Sequence, residues 1–177
     1  LNTESRHLTF EQAYEKTKKI LEDAKVSQIP FIYKKVDSAL RGNISAELKA
    51  ILDTSEQAPV PFLPAYPEMN RVVIDGHLYI EDVLVSESVF AKDPYEPVTE
   101  SNVMRRLQSE AGIESVLVKE QDLPKKGVVI FDAQTDDMLL THAKRLADEN
   151  LLGVTVGCAG FAKTLAQQLF PDGKDCL

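Results

Sequence analysis

A chain of 177 residues with 44% hydrophobic content suits one domain with a sizeable core. Its 28 acidic residues against 20 basic ones, a formal charge of −8, exclude the broad basic face that nucleic acid or an anionic membrane would need. Two cysteines, Cys158 and Cys176, are too few for a disulfide-framed secreted fold and imply a reducing, cytoplasmic setting, and no run reaches the roughly 18 to 20 apolar residues that span a bilayer.

Residues 1–5 read as the end of a strand, and a start at Leu1 rather than Met suggests a fragment that lacks the first strand of its domain. Arg6 would then stand at a strand's carboxyl end; alternatively it is a surface arginine pairing with Glu4 or Glu11. Thr9 is suited to cap an amphipathic helix over residues 11–25, with Ala13, Tyr14, Ile20, Leu21 and Ala24 set among charges. Residues 30–33 form a short apolar run, and residues 44–52 have helical spacing with Asn43 at the N-cap. A strand over 59–63 precedes the clearest local signal in the chain. There, Asp75-Gly76 lies between β-rich residues 72–74 and 77–80, which predicts a two-residue hairpin turn.

Residues 84–97 look irregular, and loops of that length inside a domain are often functional. A helix is expected over 99–111, with Thr99 at its start, Ser101 as another cap and Gly112 closing it. Strands at 115–118, 128–131 and 153–156 alternate with helices at 136–149 and 159–169. Strands separated by helices of this length imply βαβ crossovers. The expected fold is therefore α/β, a doubly wound, mainly parallel sheet with helices on both faces and an antiparallel hairpin extension.

Between the run at 30–33 and the helix at 44–52 lies Lys34-Lys35-Val36-Asp37-Ser38-Ala39-Leu40-Arg41-Gly42-Asn43. Three cations and one carboxylate at a strand-to-helix junction suit an anion, since helix N–H groups and the dipole favour negative charge there. Arg41 can fork a carboxylate or phosphate, Lys35 supplies a point charge, and Asp37 and Ser38 can orient hydroxyls. Beside three cations Asp37 should stay ionised, which favours positioning over proton abstraction. A merely solvated basic loop remains the plain alternative. Asp75 and Gly76 are read as turn residues, Asp93 and Arg71 as salt-bridging side chains near the cleft, and Gly157 to Gly160 as a tight strand-to-helix turn that could also receive phosphate. Asn43-Ile44-Ser45 matches the glycosylation pattern, but a helix start is a poor acceptor. Phosphate-loop, dinucleotide, nucleophile-elbow and zinc-helix motifs are absent from the sequence.

The basic junction resembles the Lys-x-Asp-Ser-Thr-Leu-Arg-Gly-Asn motif of the four-carbon acid sugar kinase family. Further matches follow in order: Thr3-Glu4-Ser5-Arg6, Pro64-Ala65-Tyr66-Pro67-Glu68-Met69-Asn70-Arg71, Asp75-Gly76, Phe90-Ala91-Lys92-Asp93-Pro94 and Gly157-Cys158-Ala159-Gly160. Ala39 replaces the usual Thr, Cys158 replaces the usual Ser, and the opening Asp-Asp-x-Thr-Gly-Ala segment does not occur. The resemblance implies that residues 1–177 are an amino-terminal substrate-binding domain, inactive by itself, of an ATP-dependent kinase acting on threonate, erythronate or 3-oxo-tetronate. It further implies that Arg6, Lys35, Asp37, Ser38, Arg41 and Asn43 contact the acid, with Asp37 next to the reacting hydroxyl, and that a carboxyl-terminal domain binds ATP and Mg2+. A homodimer is a possible assembly. The rival readings are a non-catalytic sugar-acid sensing module and a different α/β enzyme acting on a similar acid.

Overall fold

The computed structural model describes residues 1–119 and 123–170. Helix α1 (Phe10–Val26) begins at Thr9, whose hydroxyl accepts the Gln12 N–H while the Gln12 side chain accepts the Thr9 N–H, a reciprocal capping box. Strand β1 (Ile32–Lys35), helix α2 (Ile44–Thr54) and strand β2 (Val60–Leu63) follow. A small antiparallel unit comes next, made of β3 (Arg71–Ile74), β4 (His77–Ile80) and β5 (Val83–Leu84). The chain then runs through α3 (Val103–Ala111), β6 (Ser115–Val118), β7 (Val128–Phe131), α4 (Asp136–Asp148), β8 (Val154–Gly157) and α5 (Ala159–Leu169).

Five strands form a parallel sheet in the order β1-β8-β2-β7-β6. Its three central strands are buried at every position, which is the pattern of a sheet covered on both faces. One helical layer is made by α1, α2 and α3, packed in succession, and another by α4 with α5. Phe62, Phe131 and Phe161, with Leu48, Ile51, Ile130, Leu139 and Leu146, are fully buried between these layers; each contributes roughly 1.5–3 kcal/mol. The expected doubly wound α/β architecture is the observed one. No described helix is long and apolar enough to cross a membrane.

Because the five strands run the same way, the segments after Lys35, Leu63, Phe131 and Gly157 emerge on one rim. The small sheet is fastened there. Asp75 and Gly76 both adopt positive φ (47° and 74°), the conformation a two-residue hairpin turn requires. The Asp132 carboxylate, just past β7, accepts the Asp75 N–H at 2.8 Å and the Gly76 N–H at 3.0 Å. A second turn of the same kind joins β4 to β5 through Glu81 and Asp82, at φ 50° and 67°. It escapes sequence reading because Glu81 carries no turn signal and Asp82 is followed by Val83 instead of glycine.

Several boundaries differ from expectation. Residues 1–5 are not a strand: they pair with no ladder, and the Ser5 and Leu8 carbonyls are taken instead by the Asn43 side-chain amide at 2.9 and 2.7 Å. Asn43 does occupy the N-cap position of α2, but its side chain makes no capping hydrogen bond, being spent on that segment. The run at 30–33 shifts to Ile32–Lys35 because its ladder is set by β8, with Ile32 opposite Val154 and Lys35 opposite Gly157. Lys34 and Lys35 are therefore residues of an outermost strand, where charge is tolerated. Helix α3 starts later than residue 99. Asn102 accepts the Arg105 N–H at 2.9 Å as the cap, while Ser101 bonds Ser86 at 2.7 Å. Within the irregular stretch, Val85–Glu87 and Val89–Lys92 form short 3-10 turns. Cys176 lies outside the described residues; Cys158 is buried.

Candidate functional site

The junction between β1 and α2 is shaped by three buried apolar residues, Val36, Ala39 and Leu40, which root it in the core. Leu40 and Gly42 both take positive φ, 61° and 85°. At Gly42 a side chain is excluded on two counts, since a Cβ would also stand 3.0 Å from Arg6 Cγ and 3.2 Å from Arg6 Cα. Arg106, from α3, donates to the Leu40 carbonyl at 2.5 Å and the Gly42 carbonyl at 3.3 Å. Its own Nε is held by Glu110 at 2.9 Å, and Glu110 accepts the Ser45 hydroxyl at 2.6 Å. The backbone on either side of Arg41 is thus clamped from behind.

Arg41 consequently presents its guanidinium to Asp37, with Nε at 2.9 Å from one carboxylate oxygen and Nη2 at 3.0 Å from the other. Arg6 reaches the same carboxylate at 3.0 Å, and the Ala39 and Arg41 N–H groups donate to it at 3.3 and 3.2 Å. Burial alone would raise the Asp37 carboxyl, but the hydrogen bonds and charge of Arg41, with Arg6 behind them, hold it below the ordinary carboxylate range. The same pairing drives the Arg41 guanidinium further up. Arg41 also bonds Asp93 at 3.2 Å and stacks over the Phe90 ring at 4.9 Å. Asp93 in turn accepts the Glu96 and Tyr95 N–H groups, which together with Arg41 keep its carboxyl low. The 84–97 excursion therefore reaches the junction and fixes one side of Arg41.

Arg6, Lys35, Asp37, Arg41 and Asn43 all border one cavity of about 500 Å³. Ser38 does not border it. Lys35 is exposed at the end of β1 and makes no ion pair among the described residues. Behind these groups lies a feature that sequence reasoning missed. Glu47, 5% exposed, accepts Lys34 Nζ at 2.7 Å and the Ser5 hydroxyl, both on Oε1, and Ser5 is linked to Thr3 at 2.9 Å. The signal was present: Glu47 sits three residues after Ile44 and four before Ile51, on the core-facing stripe of α2, where an acid is out of place unless paired.

The other sequence candidates serve packing. Asp75 pairs with Lys119 at 3.1 Å beside its hairpin turn. Arg71 donates to the Met69 carbonyl at 3.1 Å and lies over Phe90 at 5.9 Å. A Cβ on Gly160 would stand 2.7 Å from Tyr66 Cδ2, and one on Gly157 would stand 2.6 Å from the Leu63 carbonyl. The turn between β8 and α5 is thereby pressed against the Pro64–Tyr66 segment, where the Cys158 thiol meets the Ala65 carbonyl at 2.9 Å. Burial raises the Cys158 thiol, so it is no ready nucleophile. Among the described residues no group of three or more His, Cys, Asp or Glu could hold a metal ion.

Comparison with known proteins assigns the chain to a family. The chain is 32% identical over 173 residues to a D-threonate kinase of Bordetella bronchiseptica, covering 94% of this chain and 43% of the relative. It is 33% identical over 171 residues to a 3-oxo-tetronate kinase of Pseudomonas fluorescens, covering 87% and 39% respectively. The chain thus spans less than half the length of these relatives. Among solved structures, a domain of unknown function from Bordetella bronchiseptica, a domain-swapped dimer with bound citrate, superposes with a TM-score of 0.82 at 31% identity, over 94% of this chain and 44% of that one. A family model described as a sugar-binding N-terminal domain matches residues 1–165, and the chain belongs to that family of sugar-binding N-terminal domains.

Proposed function

We propose that this chain is the substrate-binding part of an ATP-dependent kinase of four-carbon sugar acids, with threonate, erythronate or 3-oxo-tetronate as the substrate class. The observation that carries the reading is the meeting of Arg6 and Arg41 on one carboxylate, Asp37, at the edge of a cavity on the strand-end rim. Arg6 keeps guanidinium donors beyond its bond to Asp37, and Lys35 adds an unpaired charge, so a small carboxylate entering the cavity meets two cationic groups directly. Asp37 is filled by its guanidinium and backbone donors. It positions the arginines, and through them the substrate, and is not suited to take up a proton. Asn43 holds the segment that carries Arg6 by bonding its neighbouring carbonyls. Ser38 enters only as an outer neighbour of this group.

Phosphoryl transfer depends on placement and on neutralising charge at the phosphate. The described residues hold no Mg2+ donor set and the sequence no phosphate loop. ATP and Mg2+ are assigned here to another part of the protein, in keeping with relatives more than twice as long. The citrate seen in the Bordetella bronchiseptica structure, a hydroxylated polycarboxylate, supports a hydroxy-acid ligand, and that protein's swapped dimer supports a homodimer here. A cytoplasmic location follows from the use of ATP.

The test is a coupled ATP-consumption assay on the intact protein with a panel of hydroxy acids. Turnover is expected with four-carbon sugar acids only, and Arg41→Ala should abolish most of it. Acid binding without ATP turnover would favour the sensing module, and unchanged turnover in Arg41→Ala would refute the site.

A further inference from the structure

We infer that Glu47 is the group that reads a substrate hydroxyl, so that the cavity recognises a hydroxylated acid by two opposed chemistries, cations for the carboxylate and a buried carboxylate for the polyol. The inference rests on the sugar-acid reading above and adds the residue that would separate a sugar acid from a plain carboxylic acid. Asp37 has no acceptor to spare, as its oxygens already meet two guanidinium groups and two backbone N–H groups. Glu47 differs. Both of its protein partners, Lys34 Nζ and the Ser5 hydroxyl, use Oε1, and Oε2 has no hydrogen-bond partner among the described residues. Oε2 is also not among the fully buried atoms left without a partner, and Glu47 borders the same cavity as Arg6 and Arg41.

Once a ligand displaces water from the cavity, a carboxylate that is 95% out of solvent and half-satisfied costs free energy unless the ligand supplies a donor. Lys34, only 15% exposed, and the Ser5 hydroxyl anchor the carboxylate through Oε1, so Oε2 is an acceptor held in a fixed place. An alcohol O–H is the donor that fits, because a second carboxylate would be repelled and a cation is already supplied by Lys34. A site built to bond a hydroxyl rejects the analogue that lacks it, since the buried acceptor is then left unpaired. A hydrogen bond to a charged group corresponds to about ten- to a hundredfold in affinity.

Calorimetric titration of the intact protein without nucleotide tests this, with threonate, erythronate and their singly deoxygenated analogues as probes. In the wild type, removal of one particular hydroxyl should weaken binding by about ten- to a hundredfold. Glu47→Gln should lose the same factor for the full sugar acid and bind that one deoxy analogue as the wild type does. Equal weakening toward every acid would mark Glu47 as merely structural and overturn the inference. A flat deoxy series on the wild type overturns it without any variant, which covers the case of Glu47→Gln failing to fold. If Arg41→Ala weakens all acids while Glu47→Gln weakens none, the sugar-acid reading stands and this inference falls. If the wild type binds none of the acids, both fall.

Discussion

Asp37→Asn isolates the electrostatic keystone of the site. The substitution keeps the shape but removes the charge from a side chain only 13% exposed, and it turns an NH2 group toward guanidinium donors. The bidentate Arg41 contact is the dominant loss, because Arg6 is 44% exposed and its bond is largely screened by solvent. Hydrogen bonds to charged groups contribute about 1.5–3 kcal/mol, and removing one partner of a partly buried pair leaves Arg41 with Asp93 alone. A loss of about 2–3 kcal/mol at pH 7 is expected on that basis. The pH dependence supplies an internal control. The folded-state carboxyl of Asp37 lies below its unfolded value, so its contribution is complete above about pH 4 and fades as pH falls through the folded value. Urea denaturation of wild type and variant at pH 7 and again near the acid limit measures both. Equal stability at pH 7 would refute the keystone role, and a difference that persists after Asp37 is protonated would show that shape, not charge, is responsible.

Arg106→Met should lower stability by about 1–3 kcal/mol, because it uncaps the Leu40 and Gly42 carbonyls; chemical denaturation reads the loss, and Arg106→Lys should recover only part of it, having no planar fork. His142 packs on Phe131 at 4.8 Å and donates Nε2–H to the Asp132 carbonyl at 2.8 Å. Burial pushes its imidazolium form down, so folding stability should fall as pH drops below about 6.5 toward the lower folded value. His142→Gln should flatten that slope in thermal melts taken from pH 7 to pH 5, and an unchanged slope would assign it elsewhere.

The parallel sheet was legible because buried strands carry unbroken apolar runs, as in Val128–Phe131, and because the amphipathic helices between them keep a single period. The hairpin at Asp75-Gly76 was legible for a different reason, that its turn conformation demands residues of that kind. What escaped reading depends on contacts far apart in sequence. Asn43 was typed as a cap from its neighbours, yet carbonyls 38 and 35 residues upstream take its amide. Arg6 could have paired with Glu4 or Glu11 locally; it pairs with Asp37 because the loop turned by Leu40 and Gly42 brings Arg6 against Gly42. Local propensity has no means of ranking such partners.

The placement of the charges changes how the basic junction must work. Arg41 is balanced by Asp37 and Asp93, and Lys34 by Glu47, so in a chain of net charge −8 the cavity is not a simple positive well. A strongly cationic loop would attract any anion, phosphate and nucleotide included. Neutralised pairs instead hold the guanidinium planes at fixed angles while leaving Arg6's spare donors, Lys35 and the second oxygen of Glu47 to make new bonds, which lowers general anion affinity and raises the weight of geometry. Long-range attraction is then weak, and a ligand gains only if its own donors and acceptors match those the pairs leave unspent. On the proposed function, selectivity for a small hydroxylated acid over bulk anions is therefore better served by carboxylates inside the site than by further lysines around it.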